Sequence, residues 1–230
     1  MFRSLDNIPT GLLTLLCEGS NNPYSRNYSR KLRVGVRGHV FIGKGYNLTI
    51  EGEKQALCDL SDIGLSKHNA QLIAKAGTLK GLEALQFIKF YQKETILSAN
   101  QEEKLFKLKY SKIQALLQSK VDGVSGTGFV SSLNIPSHQL EVLVDFLYSN
   151  DLNKITEEKL FSTLRASLIE GKPKIFDNLV LDANFWRKAG VPEDRLRMRC
   201  IYINEWRNFS GISSLLSLIL IINFRSDRVS

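Results

Sequence analysis

The chain has 230 residues, 43% of them apolar and 23% charged, which is typical of a folded globular protein and argues against a disordered chain. Lysine and arginine outnumber aspartate and glutamate by 31 to 23, and the net charge of +8 favours contact with polyanions such as nucleic acid, anionic lipid or an acidic cell-wall polymer. The three cysteines have no CxxC or Cys/His spacing, so we expect buried thiols and no disulfide framework, metal site or other cofactor.

A first helix is predicted over about residues 6–18, because polar residues can cap its start and Gly19 can end it. The positions expected to be buried are Leu12, Leu13, Leu15 and Leu16. Glu18 then lies in the last turn of the helix. No other Asp or Glu follows Glu18 until Glu51.

A glycine-rich segment from Gly35 to Thr49 has the alternation of a β-structure. The apolar residues of this alternation are Val34, Val36, Val40 and Ile42. Glycines between them supply turns. The pattern predicts a short antiparallel hairpin or a three-stranded meander.

The remaining elements are predicted to be helices. They cover about residues 52–62, 66–76, 79–93, 98–120, 137–149, 156–170, 176–189 and 192–208, with a loop over 121–136. In the long helix 98–120, leucines occupy one face and lysines the other. The fold class is therefore α+β and mostly helical, with one small antiparallel element.

The end of the chain, residues 210–230, is apolar from Ile212 to Phe224 and then basic. The apolar run is too short to span a bilayer as a helix. Two interpretations stay open: a last element packed on the core, and a tail that contacts a membrane surface or a partner.

The glutamate-glycine pair Glu18-Gly19, followed by the hairpin sequence FIGKGYNLT at 41–49, resembles the phage-type lysozymes (muramidases). The resemblance continues in order through LSANQEEKLFKLKYSKIQALLQ, LNIPSHQLEVLVDFLYSN, STLRASLIEGKP and ANFWRKAGVPEDRLRMRCIYINEW. It covers about residues 5–208, with 51–95 longer than in the compact members of the family.

This resemblance implies a two-lobed lysozyme-like domain over residues 1–209, followed by a tail over 210–230. The implied parts are an N-terminal lobe at about 19–97, an interlobe helix at about 98–120, and a C-terminal helical lobe at about 121–209 packed with helix 6–18.

The resemblance also implies hydrolysis of β-1,4 glycan bonds in peptidoglycan, with Glu18 as the general acid. A carboxyl at a helix C-terminus faces the negative end of the helix dipole, which disfavours its ionised form and suits a proton donor. No cofactor is implied.

The chain departs from the family at the second carboxylate. Family members carry an aspartate and a threonine where this chain has Gly35 and Phe41, and no Asp or Glu occurs from residue 19 to 50. Three explanations stay open: a protein that binds glycan without cutting it, a different base, or Glu18 acting with a positioned water alone. The candidate bases are Glu51, Glu53 and His39. We expect no second carboxylate within about 10 Å of Glu18 on the far side of the cleft, and weak or absent activity.

His39 is a candidate catalytic residue, because it lies two residues before Phe41 on the hairpin and could orient a water. The other candidate site residues come from the resemblance. The candidate substrate-binding residues are Gly45, Asn47, Tyr148, Ser149, Asn150 and Arg195. Arg195 resembles the family's arginine that pairs with the catalytic glutamate, although the register could shift to Arg197 or Arg199.

Two functions from different classes are therefore weighed: a muramidase-like hydrolase, and an inactive lysozyme-fold effector or toxin that binds glycan or protein. The expected partners are peptidoglycan or a related glycan, and an immunity or regulatory protein. No nucleic acid is expected, because no base-reading module is present. The N-terminus shows no secretory signal peptide, so action at the cell wall or in the periplasm would need another export route.

Overall fold

The computed structural model describes residues 11–25, 27–35, 37–124, 135–150 and 152–208. Within these ranges the protein is α+β and mostly helical, with one three-stranded antiparallel sheet, as predicted. The described residues form two compact units. Unit 1 contains residues 11–17 and 112–208, and unit 2 contains residues 18–111, each without the gaps stated above.

The strands are β1 (Arg33–Val34), β2 (Val40–Ile42) and β3 (Tyr46–Asn47). The helices are α1 (Leu12–Cys17), α2 (Leu48–Glu51), α3 (Glu53–Asp62), α4 (Lys67–Ala76), α5 (Gly81–Tyr91), α6 (Ala99–Val124), α7 (Ser137–Ser149), α8 (Lys154–Ile169), α9 (Lys174–Leu181), α10 (Ala183–Lys188) and α11 (Glu193–Asn208).

The predicted meander is confirmed as the sheet β1-β2-β3 in unit 2. Val34 pairs with Val40, and Ile42 pairs with Tyr46, in antiparallel register. The inward side chains of β2 and β3 join a core with residues of α3, α4 and α6. The Tyr46 hydroxyl donates to Asp59 at 2.6 Å. Burial and this bond raise the pKa of Tyr46 far above its usual value, so the hydroxyl stays protonated and keeps the sheet joined to α3.

Most predicted helices are confirmed to within about two residues, a common uncertainty at helix ends. Two boundaries were wrong. Helix α6 continues to Val124, into the predicted loop, whose residues 125–134 lie outside the described ranges. The helix predicted over 176–189 is divided into α9 and α10 at Asp182, whose side chain accepts from Phe185 N and so caps a new helix.

The start of the chain also differs from the prediction. Residues 6–10 of the first helix lie outside the described ranges, and α1 ends at Cys17, so Glu18 directly follows it. Thr14 is buried, whereas Leu15 is 36% exposed. The prediction that Leu15 is buried was wrong, because the buried residues of α1 are the first three, Leu12, Leu13 and Thr14.

The cysteine prediction was wrong in burial. Cys58 is exposed, and Cys17 and Cys200 are half-buried, all as free thiols. Among the described helices, none combines the length and apolar character needed to cross a bilayer. The apolar segment 212–224 lies outside the described ranges.

Unit 1 is built around α7, whose residues from Glu141 to Phe146 are all buried. Asp145 lies in this run and accepts hydrogen bonds from Arg195 at 2.6 Å and from Arg199 at 2.7 Å. Both Asp145 and Arg199 are 0% exposed. The Phe146 ring packs against Trp186, and the Arg199 guanidinium lies 3.6 Å from the centre of the Phe146 ring. The buried carboxylate therefore fixes α11 against α7.

We expect Asp145→Asn to destabilise unit 1 by about 3–5 kcal/mol, because it leaves a buried guanidinium without its counter-charge. Urea unfolding followed by tryptophan fluorescence measures this, since both tryptophans, Trp186 and Trp206, belong to unit 1. The control is Glu170→Gln, which removes an exposed ion pair with Lys172 and should cost less than about 1 kcal/mol.

The pH dependence gives this prediction a second readout. Burial alone would raise the pKa of Asp145, but the charges of Arg195 and Arg199 outweigh it and lower the pKa to about 2. The carboxylate therefore stabilises the fold above its unfolded pKa of 3.8, and this contribution is lost as the pH falls to about 2. If the wild type and Asp145→Asn lost stability equally over this pH range, the result would contradict the assignment.

Candidate functional site

Glu18 begins unit 2, and the segment after it turns back on itself. Gly19 adopts φ +64°, and a Cβ there would lie 3.0 Å from Ser29 Cβ. Ser20 N donates to Asn27 O at 2.8 Å, and Ser29 N donates to Ser20 O at 2.9 Å. This small loop holds the backbone next to Glu18, whose side chain is half-buried.

The Glu18 carboxylate lies directly against Gly45 of the hairpin. Gly45 has φ +75°, and a Cβ at this position would lie 2.3 Å from Glu18 Oε2 and 3.0 Å from Oε1. Such a distance is far shorter than any van der Waals contact. The backbone conformation therefore favours glycine at 45, and any side chain there would displace the Glu18 carboxylate.

Two buried lysines hold the backbone on either side of this contact. Lys109 Nζ donates to Gly45 O at 2.6 Å, and Lys44 Nζ donates to Gly19 O at 3.4 Å. Each lysine is only 7% exposed. Lys109 comes from α6 and Lys44 from the turn between β2 and β3, so the hairpin, the loop and the long helix meet at Glu18.

The Lys44 ammonium is electrostatically perturbed. Burial lowers its pKa, the nearby Glu102 and Glu18 carboxylates oppose that change, and Arg33 adds to it. Glu102 lies in the first turn of α6. Its Oε1 atom is buried and has no hydrogen-bond partner among the described residues. A second carboxylate thus acts on the same amine as Glu18.

The sequence interpretation missed Lys44, Lys109 and Glu102. It placed the lysines of the long helix on the exposed face, which was wrong for Lys109. The available signal was spacing, because Lys109 follows the buried Leu105 by four residues and so lies on the same helix face. Lys44 could have been found as the one charge inside the apolar and glycine-rich FIGKGY sequence.

His39 and Asn47 lie together on the hairpin. Asn47 Oδ1 accepts from Thr49 N and Ile50 N, so its Nδ2 group is the atom that faces His39 Nδ1, at 3.2 Å. Nδ1 is therefore the acceptor, and the proton of a neutral His39 lies on Nε2. In this tautomer His39 offers a donor to a ligand.

Gly35 and Phe41 are physically coupled. A Cβ on Gly35 would lie 2.7 Å from Phe41 Cε2. The Arg33 guanidinium lies 5.9 Å from the Phe41 ring centre. The Phe41 ring occupies the space that a side chain at 35 would need, so the two residues constrain each other.

The other predicted site residues lie in unit 1. Tyr148 is buried and Asn150 is exposed, in the left-handed conformation that ends α7. Ser149 Oγ donates to Phe146 O and accepts from Arg199 Nη2, both at 3.1 Å. Arg195 binds Asp145. The structure thus brings Glu18 together with Gly45, and His39 with Asn47, while pairing of Arg195 with Glu18 stays a prediction.

A model of the family described as Domain of unknown function (DUF8812) matches residues 11–200. The chain belongs to this family. No curated protein and no solved structure matches it. The DUF8812 match includes the Glu18 hairpin and the Asp145 network. In the described ranges of this DUF8812 protein, no group of three or more His, Cys, Asp and Glu side chains is arranged to hold a metal ion.

We expect Gly45→Ala to destabilise unit 2 more than Gly64→Ala does. Both glycines have positive φ, +75° and +86°, but a Cβ on Gly64 meets nothing within 4 Å. The shared backbone strain costs about 1–2 kcal/mol. The collision with Glu18 should add less than about 1 kcal/mol at Gly45 alone, because the carboxylate is the end of a flexible side chain and can shift. Hydrogen exchange of unit 2 amides measures the difference.

A double-mutant cycle tests the cause. In a Glu18→Ala background, the additional cost of Gly45→Ala should disappear, because the colliding carboxylate is gone. An unchanged additional cost in that background would show that another contact at Gly45 is responsible.

Proposed function

We propose that this protein is a peptidoglycan-directed, muramidase-like glycoside hydrolase, with a two-lobed lysozyme-like fold and with Glu18 as the general acid for a β-1,4 glycan bond. The observation that carries the proposal is the fixed position of Glu18 against Gly45, at a glycine hairpin that resembles the one in phage-type lysozymes. The proposed sites of action are the cell wall and the periplasm.

The geometry supports Glu18 in this role because a general acid must be held in place and reach the leaving oxygen. The side chain is only half-buried, so it can reach a ligand. Lys44 and Lys109 fix the neighbouring carbonyls of Gly19 and Gly45, which limits backbone movement around the carboxylate. A defined geometry of this kind is one requirement for efficient proton transfer to a bound ligand.

The hydrogen bonds of the hairpin favour a ligand-binding role for His39 over the role of a general base. A base for water needs an unprotonated ring nitrogen, and Nδ1 is already occupied by Asn47. The free Nε2–H is a donor, suited to a sugar hydroxyl. Among the open alternatives, Glu18 acting with a positioned water is therefore favoured over His39 as the base.

An inactive protein that binds glycan or a protein partner is the second candidate. The specific observation in its favour is the Phe41 ring, which fills the space beside Gly35. By the resemblance, phage-type lysozymes have an aspartate at the position of Gly35. Retaining and inverting glycosidases usually need two carboxyl groups. In this second candidate the hairpin keeps its ligand surface and loses turnover.

We expect Glu18→Gln to reduce release of new reducing ends from purified peptidoglycan by about 100-fold or more, because general acid catalysis contributes that much. Long digestions at high protein concentration are needed, and the sugar at each new reducing end identifies the bond. The matched control is Glu103→Gln, the same change at an exposed glutamate paired with Lys107.

The same digestion distinguishes the two candidates. Full activity of Glu18→Gln would overturn the acid assignment. Wild-type protein that sediments with peptidoglycan but releases no reducing ends would establish the binding role instead. Protein that neither sediments nor hydrolyses would overturn both the hydrolase and the glycan-binding role, and only binding to a protein partner would remain.

A further prediction concerns the coupled pair Gly35 and Phe41. Gly35→Asp alone should destabilise unit 2 by about 1–3 kcal/mol, because its side chain collides with the ring. Adding Phe41→Thr should relieve the collision and raise glycan hydrolysis at least about tenfold, a modest part of what a positioned catalytic group contributes.

The control is Phe41→Thr alone, which makes the space without adding a carboxylate. A Gly35→Asp protein as stable as the double variant would contradict the collision. A folded double variant without increased hydrolysis would show that the missing carboxylate does not limit the reaction.

A further inference from the structure

Helix α5 presents an unusually apolar face to solvent. Within this fully described helix only Ala84 is buried. Leu82 is 76% exposed, Leu85 is 51% exposed and Phe90 is 76% exposed. Single exposed apolar residues are ordinary, but three on one short helix indicate a surface that meets something apolar.

The periodicity of α5 separates an anchoring side from this exposed side. Phe87 and Ile88 pack against the core of unit 2. The Tyr91 ring lies 4.6 Å from Phe87 and 4.7 Å from Phe90, measured between ring centres. At 100° per residue, Leu82, Leu85 and Phe90 fall on the side opposite Ala84. The helix is therefore held by one side and free on the other.

The surroundings of this face are basic. Between Asp62 and Glu94 the chain carries five lysines and a single acidic residue, Glu83. The lysines are Lys67, Lys75, Lys80, Lys89 and Lys93, and all are exposed. Lys89 follows Leu85 by four residues, so it lies on the exposed side of the helix.

We propose that the exposed face of α5, formed by Leu82, Leu85, Lys89 and Phe90 and continued by Lys93 just after the helix, docks on an anionic lipid surface. Leucine and phenylalanine can enter the boundary between headgroups and acyl chains, while lysine stems extend along it and keep their ammonium groups among the phosphates. An anionic lipid surface supplies both partners of this face: acyl chains for the apolar side chains and negative charge for the lysines.

An anionic membrane fits this face better than a protein groove does. The side chains form a convex, mixed surface of apolar and cationic groups on a single helix, which a fluid interface can accommodate without a matching shape. The lysine excess in α4 and α5 extends the favourable charge beyond the helix itself. This proposal does not depend on Glu18 or on hydrolysis.

Vesicle flotation with the full-length protein tests the proposal. The protein should float with vesicles of phosphatidylcholine and phosphatidylglycerol and remain unbound with phosphatidylcholine alone. The double variant Leu82→Ser/Phe90→Ser should bind at least about tenfold more weakly, because it removes most of the apolar area. Lys89→Glu/Lys93→Glu should abolish the preference for anionic vesicles.

The matched control is Ile155→Ser/Ile169→Ser, the same kind of change at side chains in unit 1 that are 76% and 66% exposed. It should bind as the wild type does. Because every changed side chain is exposed, far-UV circular dichroism should be unaltered in all variants.

Three outcomes would overturn the proposal. The first is no flotation of the wild type with anionic vesicles. The second is unchanged binding by the α5 variants, which would assign the contact to another segment, such as 212–224. The third is lipid-free self-association that Leu82→Ser/Phe90→Ser abolishes, which would make this face an interface between copies of the chain.

Discussion

The contact between the Glu18 carboxylate and Gly45 joins the start of unit 2 to its hairpin. The loop after Gly19, the turn of the hairpin and helix α6 each contribute one group to the surroundings of this contact. None of these segments could position a carboxylate alone, because a two-residue strand or a short loop has few bonds of its own. The position of the Glu18 carboxylate is thus a property of three segments packed together.

Gly35 and Phe41 constrain each other on the hairpin. The aromatic ring fills the space that a side chain at 35 would take, so the residue at 35 cannot be changed independently of the residue at 41. The lysines at 44 and 109 donate to the carbonyls on either side of the Glu18 contact. The positive charge beside Glu18 therefore comes from the hairpin turn and from α6.

Local patterns in the sequence were sufficient for the sheet and for α3, α4 and α7, because apolar spacing and glycine stops determine such elements directly. The break at Asp182 was missed, since an aspartate inside a helical pattern becomes a cap only when the chain turns there. Glu18 and Gly45 were found through motif resemblance. Lys44, Lys109 and Glu102 were not, because periodicity assigns charged residues to the surface and cannot indicate which carbonyl will accept a buried ammonium.

The two units use buried charge differently. In unit 1 the buried Asp145 is matched by two guanidinium groups in a geometry that stabilises the packing of α7 and α11. In unit 2 the buried lysines donate to the carbonyls of Gly19 and Gly45, and Lys44 also lies in the field of the Glu18 and Glu102 carboxylates, which oppose the effect of burial on its pKa. The Asp145 network therefore joins two helices to each other, whereas the two lysines join the backbone on either side of Glu18 to the hairpin turn and to α6.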